Sequence, residues 1–347
     1  MLFRSKNIVI LSAFLSPLRS GAEACAEEVP LALKDQHNFT IVTARMRRDL
    51  PKNDMLNGSI PVVRVGLGFT FDKWLFPMLA PRVVRKLCPE VVHAVLETFA
   101  GLALVFCNAP KKILTCQTTN RSFLKSTIVR NPQVITVISN ALMNTVSSLG
   151  RKDAILISNG IDLSSLNAAR QSVEKVPGRV LFVGRLEKQK GIDTLLHAFA
   201  ELSPGAHLRI VGDGSEWGAL QKLTTRLGIT DRVEFVGRVE PYQIAKEYAL
   251  AEVFCGLSRS EALGNVFLEA QAAGCAVIGT RVGGIPDIIE DNKTGLLVDP
   301  DNMSDAVIAL QKVLSDKTLR AVLAKAGSAH AQNFSWEMIA SQYAKLY

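Results

Sequence analysis

No stretch of the 347 residues holds the ~18 consecutive apolar side chains that a membrane-crossing helix needs. Aromatic residues make up 6% of the chain, and no recognition motif accompanies its basic residues, which argues against a nucleic-acid partner. The six cysteines include no C-x-x-C pair, so neither a disulfide framework nor a zinc site is expected. No strand-like run leads into a convincing G-x-G-x-x-G, which argues against a nucleotide-dependent dehydrogenase. Internal repeats of 20–50 residues and low-complexity segments are also missing.

The composition is that of a globular protein, with 48% hydrophobic and 21% charged residues, and its length suits two domains. The formal net charge of +8 is unevenly spread: residues 1–176 carry +10 and residues 177–347 carry −2. Basic residues gather at Arg45, Arg47 and Arg48, at Arg82, Arg85 and Lys86, and at Lys111 and Lys112. Such a front half attracts an anionic partner, unless the charges form only a solvated surface. The cysteines mostly sit in apolar runs and read as buried free thiols of a reducing compartment, hence a cytoplasmic protein. Arg4 and Lys6 precede the apolar run Ile8 to Leu15, which resembles a signal peptide; the run is short and broken by Ser12, and reads as a first buried strand.

Short apolar runs alternate with helical patterns along the whole chain. Those at Asn7–Leu11, Phe39–Thr43, Val62–Val65, Val91–Val95, Ile113–Cys116, Val134–Ile138 and Ala154–Ile157 form one series. Those at Val180–Val183, Leu208–Val211, Val233–Val236, Val253–Cys255, Ala276–Ile278 and Leu296–Val298 form a second. Continuous Val- and Ile-rich runs suit parallel strands covered on both faces. Ile192, Leu195, Leu196 and Phe199 follow a helical spacing, as do Trp217, Leu220, Leu223 and Leu227 ahead of Gly228. The fold class is therefore α/β, with two Rossmann-like domains. They are expected to cover residues 1–165 and 166–334, with a hinge between Asn159 and Gly178.

Two loops carry the chemistry. Gly184-Arg185-Leu186-Glu187-Lys188-Gln189-Lys190-Gly191 follows a strand; Arg185 offers a planar fork of donors and Lys190 a mobile point charge, a pair suited to a diphosphate. The alternative is a basic surface turn. The second loop runs from Ser258 through Glu261 to Gly264, Asn265 and Val266, where a helix begins. Its first N–H groups and helix dipole make an anion site. Glu261 precedes that site, and Glu269 lies within the helix among Phe267, Leu268 and Ala270. Two carboxylates flanking a phosphate site suit the hydroxyls of a nucleotide sugar. A helix-terminal charge and a solvated face are the structural alternatives.

Through these segments, the back half resembles the donor-binding domain of family 4 retaining glycosyltransferases, which have the GT-B fold. The resemblance rests on Gly184-Arg185, Lys190-Gly191, Val211-Gly212-Asp213-Gly214 and Phe235-Val236-Gly237. It also rests on the glutamate-x7-glutamate pattern of Glu261 and Glu269, on Cys275-Ala276-Val277-Ile278, on Gly283-Gly284-Ile285-Pro286-Asp287 and on Thr294-Gly295-Leu296-Leu297-Val298, all in the family's order. Leu257 and Ala262 stand where the family often has Pro and Gly.

The resemblance implies two domains facing each other across a donor/acceptor cleft. It implies transfer of a hexose-type sugar from a nucleoside diphosphate sugar to a glycan, lipid-linked or small-molecule acceptor, with no cofactor and no metal. Arg185, Lys190 and the backbone at Gly264, Asn265 and Val266 would neutralise the leaving diphosphate. Glu261 would hold the sugar, Glu269 the ribose, and the backbone at Gly237, Arg238 and Val239 the base. In the front half, Ser20-Gly21-Ala22-Glu23 resembles the glycine-rich loop, with Gly21 near the donor phosphate, and residues 335–347 resemble a tail that packs back on the first domain. The front half departs from the family at the His-x-His pair, where Val92-His93-Ala94-Val95 puts Val95 in the second position, and at Thr-x-His, where Gln117 replaces the histidine. His93 and Gln117 are the acceptor-side candidates.

Three rivals remain. A non-hydrolysing nucleotide-sugar epimerase shares the architecture but not the glutamate pattern. A non-catalytic nucleotide-sugar binder or partner subunit fits the missing histidines, and a dehydrogenase lacks its fingerprint. A peripheral contact with the anionic inner face of a membrane fits the basic front half.

Overall fold

The computed structural model describes residues 4–18, 21, 23–119 and 124–347. The chain divides into two compact units, one comprising residues 1–160 with 336–347, the other 161–335. The division falls five residues ahead of the expected boundary, and the stretch read as a hinge holds the helix Leu163–Ser172. Its N-cap Asp162 accepts from the N–H of Ser165 at 3.0 Å, a short-range signal that outweighs the polar composition.

The first unit is built on eight strands: β1 (Asn7–Leu11), β2 (Asn38–Ala44), β3 (Asn53–Leu56), β4 (Ile60–Val65), β5 (Val91–Val95), β6 (Lys111–Cys116), β7 (Val134–Val137) and β8 (Ile155–Leu156). They lie in the order β3-β4-β2-β1-β5-β6-β7-β8. All neighbours run parallel except β3 and β4. Strand β3 corrects the all-parallel expectation. Its sequence, Asn-Asp-Met-Leu, has no apolar run to announce it, because an edge strand is covered on few sides. Strand β1 lies in the middle of the sheet between β2 and β5, and its apolar residues are buried.

The second unit has six parallel strands: β9 (Val176–Val183), β10 (His207–Val211), β11 (Val233–Gly237), β12 (Ala251–Gly256), β13 (Ala276–Thr280) and β14 (Leu296–Val298). Their order is β11-β10-β9-β12-β13-β14. Val180 of β9 pairs with Leu208 on one side and Val253 on the other. Strand order thus reverses between β9 and β12, where an open parallel sheet holds its ligands beyond the carboxyl ends. Helix Ile192–Ala200 buries Ile192, Leu195, Leu196 and Phe199, and Trp217–Arg226 ends ahead of Gly228 in the left-handed conformation.

Within the first unit, the last helix (Trp336–Ala344) packs into the core through Trp336, Ile339, Ala340 and Tyr343, and Tyr347 beyond it joins the same core. The Cys25 thiol is pushed up to about 12 by its burial in this core. Five of the six cysteines are buried; Cys88 is exposed, against expectation, because it ends a helix in a left-handed turn.

A chain of buried polar groups joins the last helix to the sheet. His93 Nδ1 lies 2.8 Å from the Tyr347 hydroxyl, and Nε2 lies 2.7 Å from Thr115 Oγ1. Thr115 in turn meets Thr136 at 2.7 Å and the Tyr343 hydroxyl at 3.2 Å. Burial pushes the His93 ring down to about 3, so it stays neutral in the folded state. An unfolded chain protonates this ring near pH 6.5, so between pH 6.5 and about 3 the unfolded state binds the extra proton. Stability then falls as the pH drops through that window, by up to about 1.4 kcal/mol per pH unit. Urea unfolding at neutral and mildly acid pH should show this slope, and His93→Gln should flatten it. An equal slope in the variant means that His93 is not the group responsible.

Candidate active site

The loops leaving β9 and β12 meet in the second unit. Gly191 has φ +62°, and a Cβ there would lie 1.9 Å from the Leu257 carbonyl oxygen. Only glycine permits this approach. It brings Lys190 beside the second loop, where its ammonium lies 2.5 Å from Glu261 Oε2. Both side chains are largely covered, at 17% and 15% exposure. Glu261 is further fixed by Ser258 Oγ, which donates to the same oxygen at 3.4 Å, and by its own carbonyl, which accepts from the Gly284 N–H at 3.3 Å. Gly283, at φ +56°, is the second position that demands glycine, since a Cβ would sit 1.6 Å from that carbonyl oxygen.

Helix Asn265–Ala272 starts immediately after this loop, with Gly264 as its N-cap and no side chain capping it. Its first N–H groups therefore remain available to an anion. Glu269 lies farther along the same helix and accepts from the Tyr248 hydroxyl at 2.7 Å. Burial pushes the Glu269 carboxyl above its ordinary range, and Tyr248 offsets part of that shift. Arg185 takes a different position from Lys190. Its side chain is 69% exposed and held by Glu187 Oε1 at 2.5 Å.

The loops after β9, β10 and β11 are stitched by backbone bonds. The Gly184 N–H donates to Val211 at 3.0 Å, Leu186 to Asp213 at 2.9 Å, and Gly212 to Gly237 at 2.8 Å. Gly237 ends β11, beyond which Arg238 is exposed and Val239 half-buried. Trp217 packs against Phe235 with ring centroids 5.5 Å apart, next to the Gly237 backbone.

The sequence reading missed Arg259. Its Nη1 and Nη2 donate to the Asp193 carboxylate, both at 2.9 Å, and its Nε donates to Asp301 at 2.7 Å. Its N–H donates to the Gln189 carbonyl at 2.8 Å. Arg259 therefore clamps the loop that bears Lys190 against the loop that bears Glu261. Tyr248, which orients Glu269, was missed as well. The partners of both are far away in sequence, so spacing carried no signal for either.

Residues 167–330 match the family model for glycosyl transferases group 1. The lipopolysaccharide core biosynthesis glycosyltransferase LpsE of Rhizobium meliloti is 32% identical over 286 residues, which span 80% of this chain and 81% of that protein. The chain belongs to the glycosyl transferases group 1 family. A D-inositol 3-phosphate glycosyltransferase of Corynebacterium jeikeium is 39% identical over 176 residues, 48% of this chain and 42% of that protein. The match thus spans less than half the length of that curated relative. In structure, the chain is similar to a sucrose-phosphate synthase of Thermosynechococcus elongatus, at TM-score 0.87 and 23% identity over 99% of this chain and 98% of that one. Together these establish two Rossmann-like domains of the GT-B class.

For a group 1 glycosyltransferase, the first unit gives a different result from the second. Gly21 lies in an exposed turn beyond β1, while Ser20 and Ala22 of the same loop fall outside the described residues. His93, read as an acceptor-side candidate, instead sits in mid-strand, fully buried, with both ring nitrogens engaged by other side chains. Val95, at the end of β5, is buried too. Gln117 follows β6 and is buried, with its Oε1 accepting from Asn159 at 3.0 Å and its N–H donating to Glu97 at 2.8 Å. Among the described residues, its Nε2 has no hydrogen-bond partner. Glu97 also pairs with Lys125 at 2.9 Å, both side chains buried, which anchors the start of this loop. Among the described residues, no group of three or more His, Cys, Asp or Glu side chains is placed to hold a metal ion.

Two outcomes follow for this family member. Gly283→Ala should push the Glu261 backbone aside, costing about 2 kcal/mol or more of stability and abolishing nucleotide binding. Gly205→Ala, whose Cβ meets nothing within 4 Å, is the control and should do neither. Arg259→Lys keeps the charge but loses the bidentate fork, and should weaken nucleotide binding by about tenfold in calorimetric titration. Full affinity in Arg259→Lys would show that the clamp does not position Lys190.

Proposed function

We propose that this protein transfers a hexose-type sugar from a nucleoside diphosphate sugar to a glycan, lipid-linked or small-molecule acceptor, with retention of anomeric configuration. The observation that carries this reading is the Lys190–Glu261 pair beside the uncapped start of helix Asn265–Ala272, with Glu269 farther along that helix. A diphosphate at the helix start competes with Glu261 for the Lys190 ammonium. Once displaced, Glu261 is free to accept from hydroxyls of the transferred sugar, while Glu269 accepts from the ribose. Negative charge grows on the departing phosphate as the glycosidic bond breaks, and Lys190, Arg185 and the helix N–H groups stabilise that growth more than the bound donor. These groups supply positive charge themselves, so the reading requires no metal ion. The loop at Gly237, Arg238 and Val239 is assigned to the base.

The relatives favour a donor of this class. An Anabaena protein of similar fold, HepE, is described in complex with UDP-glucose. The Rhizobium relative is named for lipopolysaccharide core biosynthesis and the Corynebacterium relative for D-inositol 3-phosphate. A second reading, a nucleotide-sugar binder with weakened catalysis, is favoured by one observation: the family's histidine positions hold a buried core residue at His93 and an apolar one at Val95.

Thermal unfolding with UDP, GDP, ADP and dTDP tests both. One nucleotide at 100 times its Kd should stabilise the protein by about 2.7 kcal/mol. Glu269→Gln still accepts from Tyr248 but loses the charged acceptor, and should remove most of that gain. Stabilisation by no nucleotide overturns the donor site. Stabilisation without consumption of the matching nucleotide sugar, across glycan, lipid-linked and small-molecule acceptors, selects the second reading. Product with an inverted anomeric carbon refutes retention.

A further inference from the structure

In the first unit, the helix Asp72–Leu87 packs through Phe76, Ala80 and Val84. Phe71, Trp74, Met78, Arg82 and Arg85 lie on its outward side, at the spacing of one helical stripe. The upper part of the stripe is apolar and exposed, with Trp74 at 67% and Met78 at 63%. The lower part is basic, and Lys86 adjoins it.

The turn before the helix extends the apolar part. Phe69 stacks on Phe71 with ring centroids 5.5 Å apart, and the Arg48 guanidinium lies 4.3 Å over the Phe69 ring. The turn is held rather than loose. The buried Asp72 carboxylate accepts from the N–H groups of Gly68 at 2.6 Å and Phe69 at 3.2 Å. Trp74 is braced edge-on against Phe99 at 4.9 Å.

We propose that this stripe and turn form a seat for an anionic lipid surface, with Phe71, Trp74 and Met78 entering the interfacial layer and Arg48, Arg82, Arg85 and Lys86 meeting the headgroups. The pattern is that of an interfacial helix: aromatic and aliphatic side chains beside a basic region. Charge selects the occupant. The helix carries four basic residues, and its one acid, Asp72, is spent inside the turn. A second copy meeting this face across a two-fold axis would oppose like charges, which is unfavourable. A zwitterionic surface would leave the basic half of the stripe without a partner. The proposal does not depend on the donor site, because no residue in it belongs to that site.

Flotation of the full chain with phosphatidylglycerol-containing vesicles, and with pure phosphatidylcholine vesicles, tests the seat. At low salt the protein should float with the first and not the second, and should be released by high salt. Replacing Arg82, Arg85 and Lys86 together by Ala should lower partitioning by roughly a hundredfold, at about 1 kcal/mol per charge. Trp74→Ala with Met78→Ala should lower it at least tenfold, by removing apolar side chains from the interface. These side chains are exposed, so melting temperature and nucleotide binding should not change in either variant. Tryptophan emission should shift to the blue with anionic vesicles, and Trp74→Phe should not show the shift. No flotation at low salt, or equal flotation of parent and variants, overturns the proposal. So does a self-association that both variants abolish without any lipid binding, which would give the face to a second copy.

Discussion

Strands β9 and β12 are neighbours in the sheet, and successive strands are added on opposite sides of that pair. Their loops therefore leave from adjacent positions at the carboxyl end, and there the backbone at Gly191 touches the carbonyl of Leu257. Most of the candidate site rests on that contact. It brings Lys190 to Glu261, although the two are 71 residues apart. It also lets Arg259 reach back to Asp193 and to the Gln189 carbonyl. A side chain at Gly191 would drive the two loops apart and separate the charges that act together.

The Lys190–Glu261 pair is poised between two uses. With both partners largely covered, neither charge is well solvated, and each stabilises the other. Under the proposed function, a bound diphosphate would offer the lysine a second anion, and sugar hydroxyls would offer the glutamate a different set of donors. In the proposed reaction the exchange would replace one set of charge-assisted bonds by another. Arg185 differs because it is exposed and tethered only to Glu187. Its contribution is a surface pair, which in water is worth little until a ligand excludes solvent.

Much of the second unit was legible in the sequence because its signals are local. Apolar runs, helical spacing and glycines at strand ends all report short-range constraints, and strands such as Val233–Gly237 fall within a residue or two of where the runs put them. Arg259 and Tyr248 were not legible, because their work is done on partners such as Asp193 and Glu269, far off in the chain. His93 misled for a related reason. A histidine in an apolar strand looks the same whether it faces a ligand or the core, and here the deciding partner, Tyr347, is 254 residues away. Strand β3 left no trace, because an edge strand pairs through its backbone and needs no apolar side chains.

The first unit spends its buried polar groups on structure. His93, Thr115 and Thr136 are occupied in holding Tyr343 of the last helix and Tyr347 just beyond it. Glu97 and Lys125 are occupied in anchoring the loop after β6. Side chains committed in this way cannot also recognise an acceptor without unfastening the helix or the loop. Under the proposed function, acceptor recognition by this unit would fall to the loops beyond the strand ends and to its exposed cations. The excess of positive charge in the front half fits that division. In the second unit Arg209, Arg259, Arg281 and Arg320 each pair with a carboxylate. The Arg82–Lys86 end of the first unit's helix instead projects three cations from a segment whose one acid is already engaged.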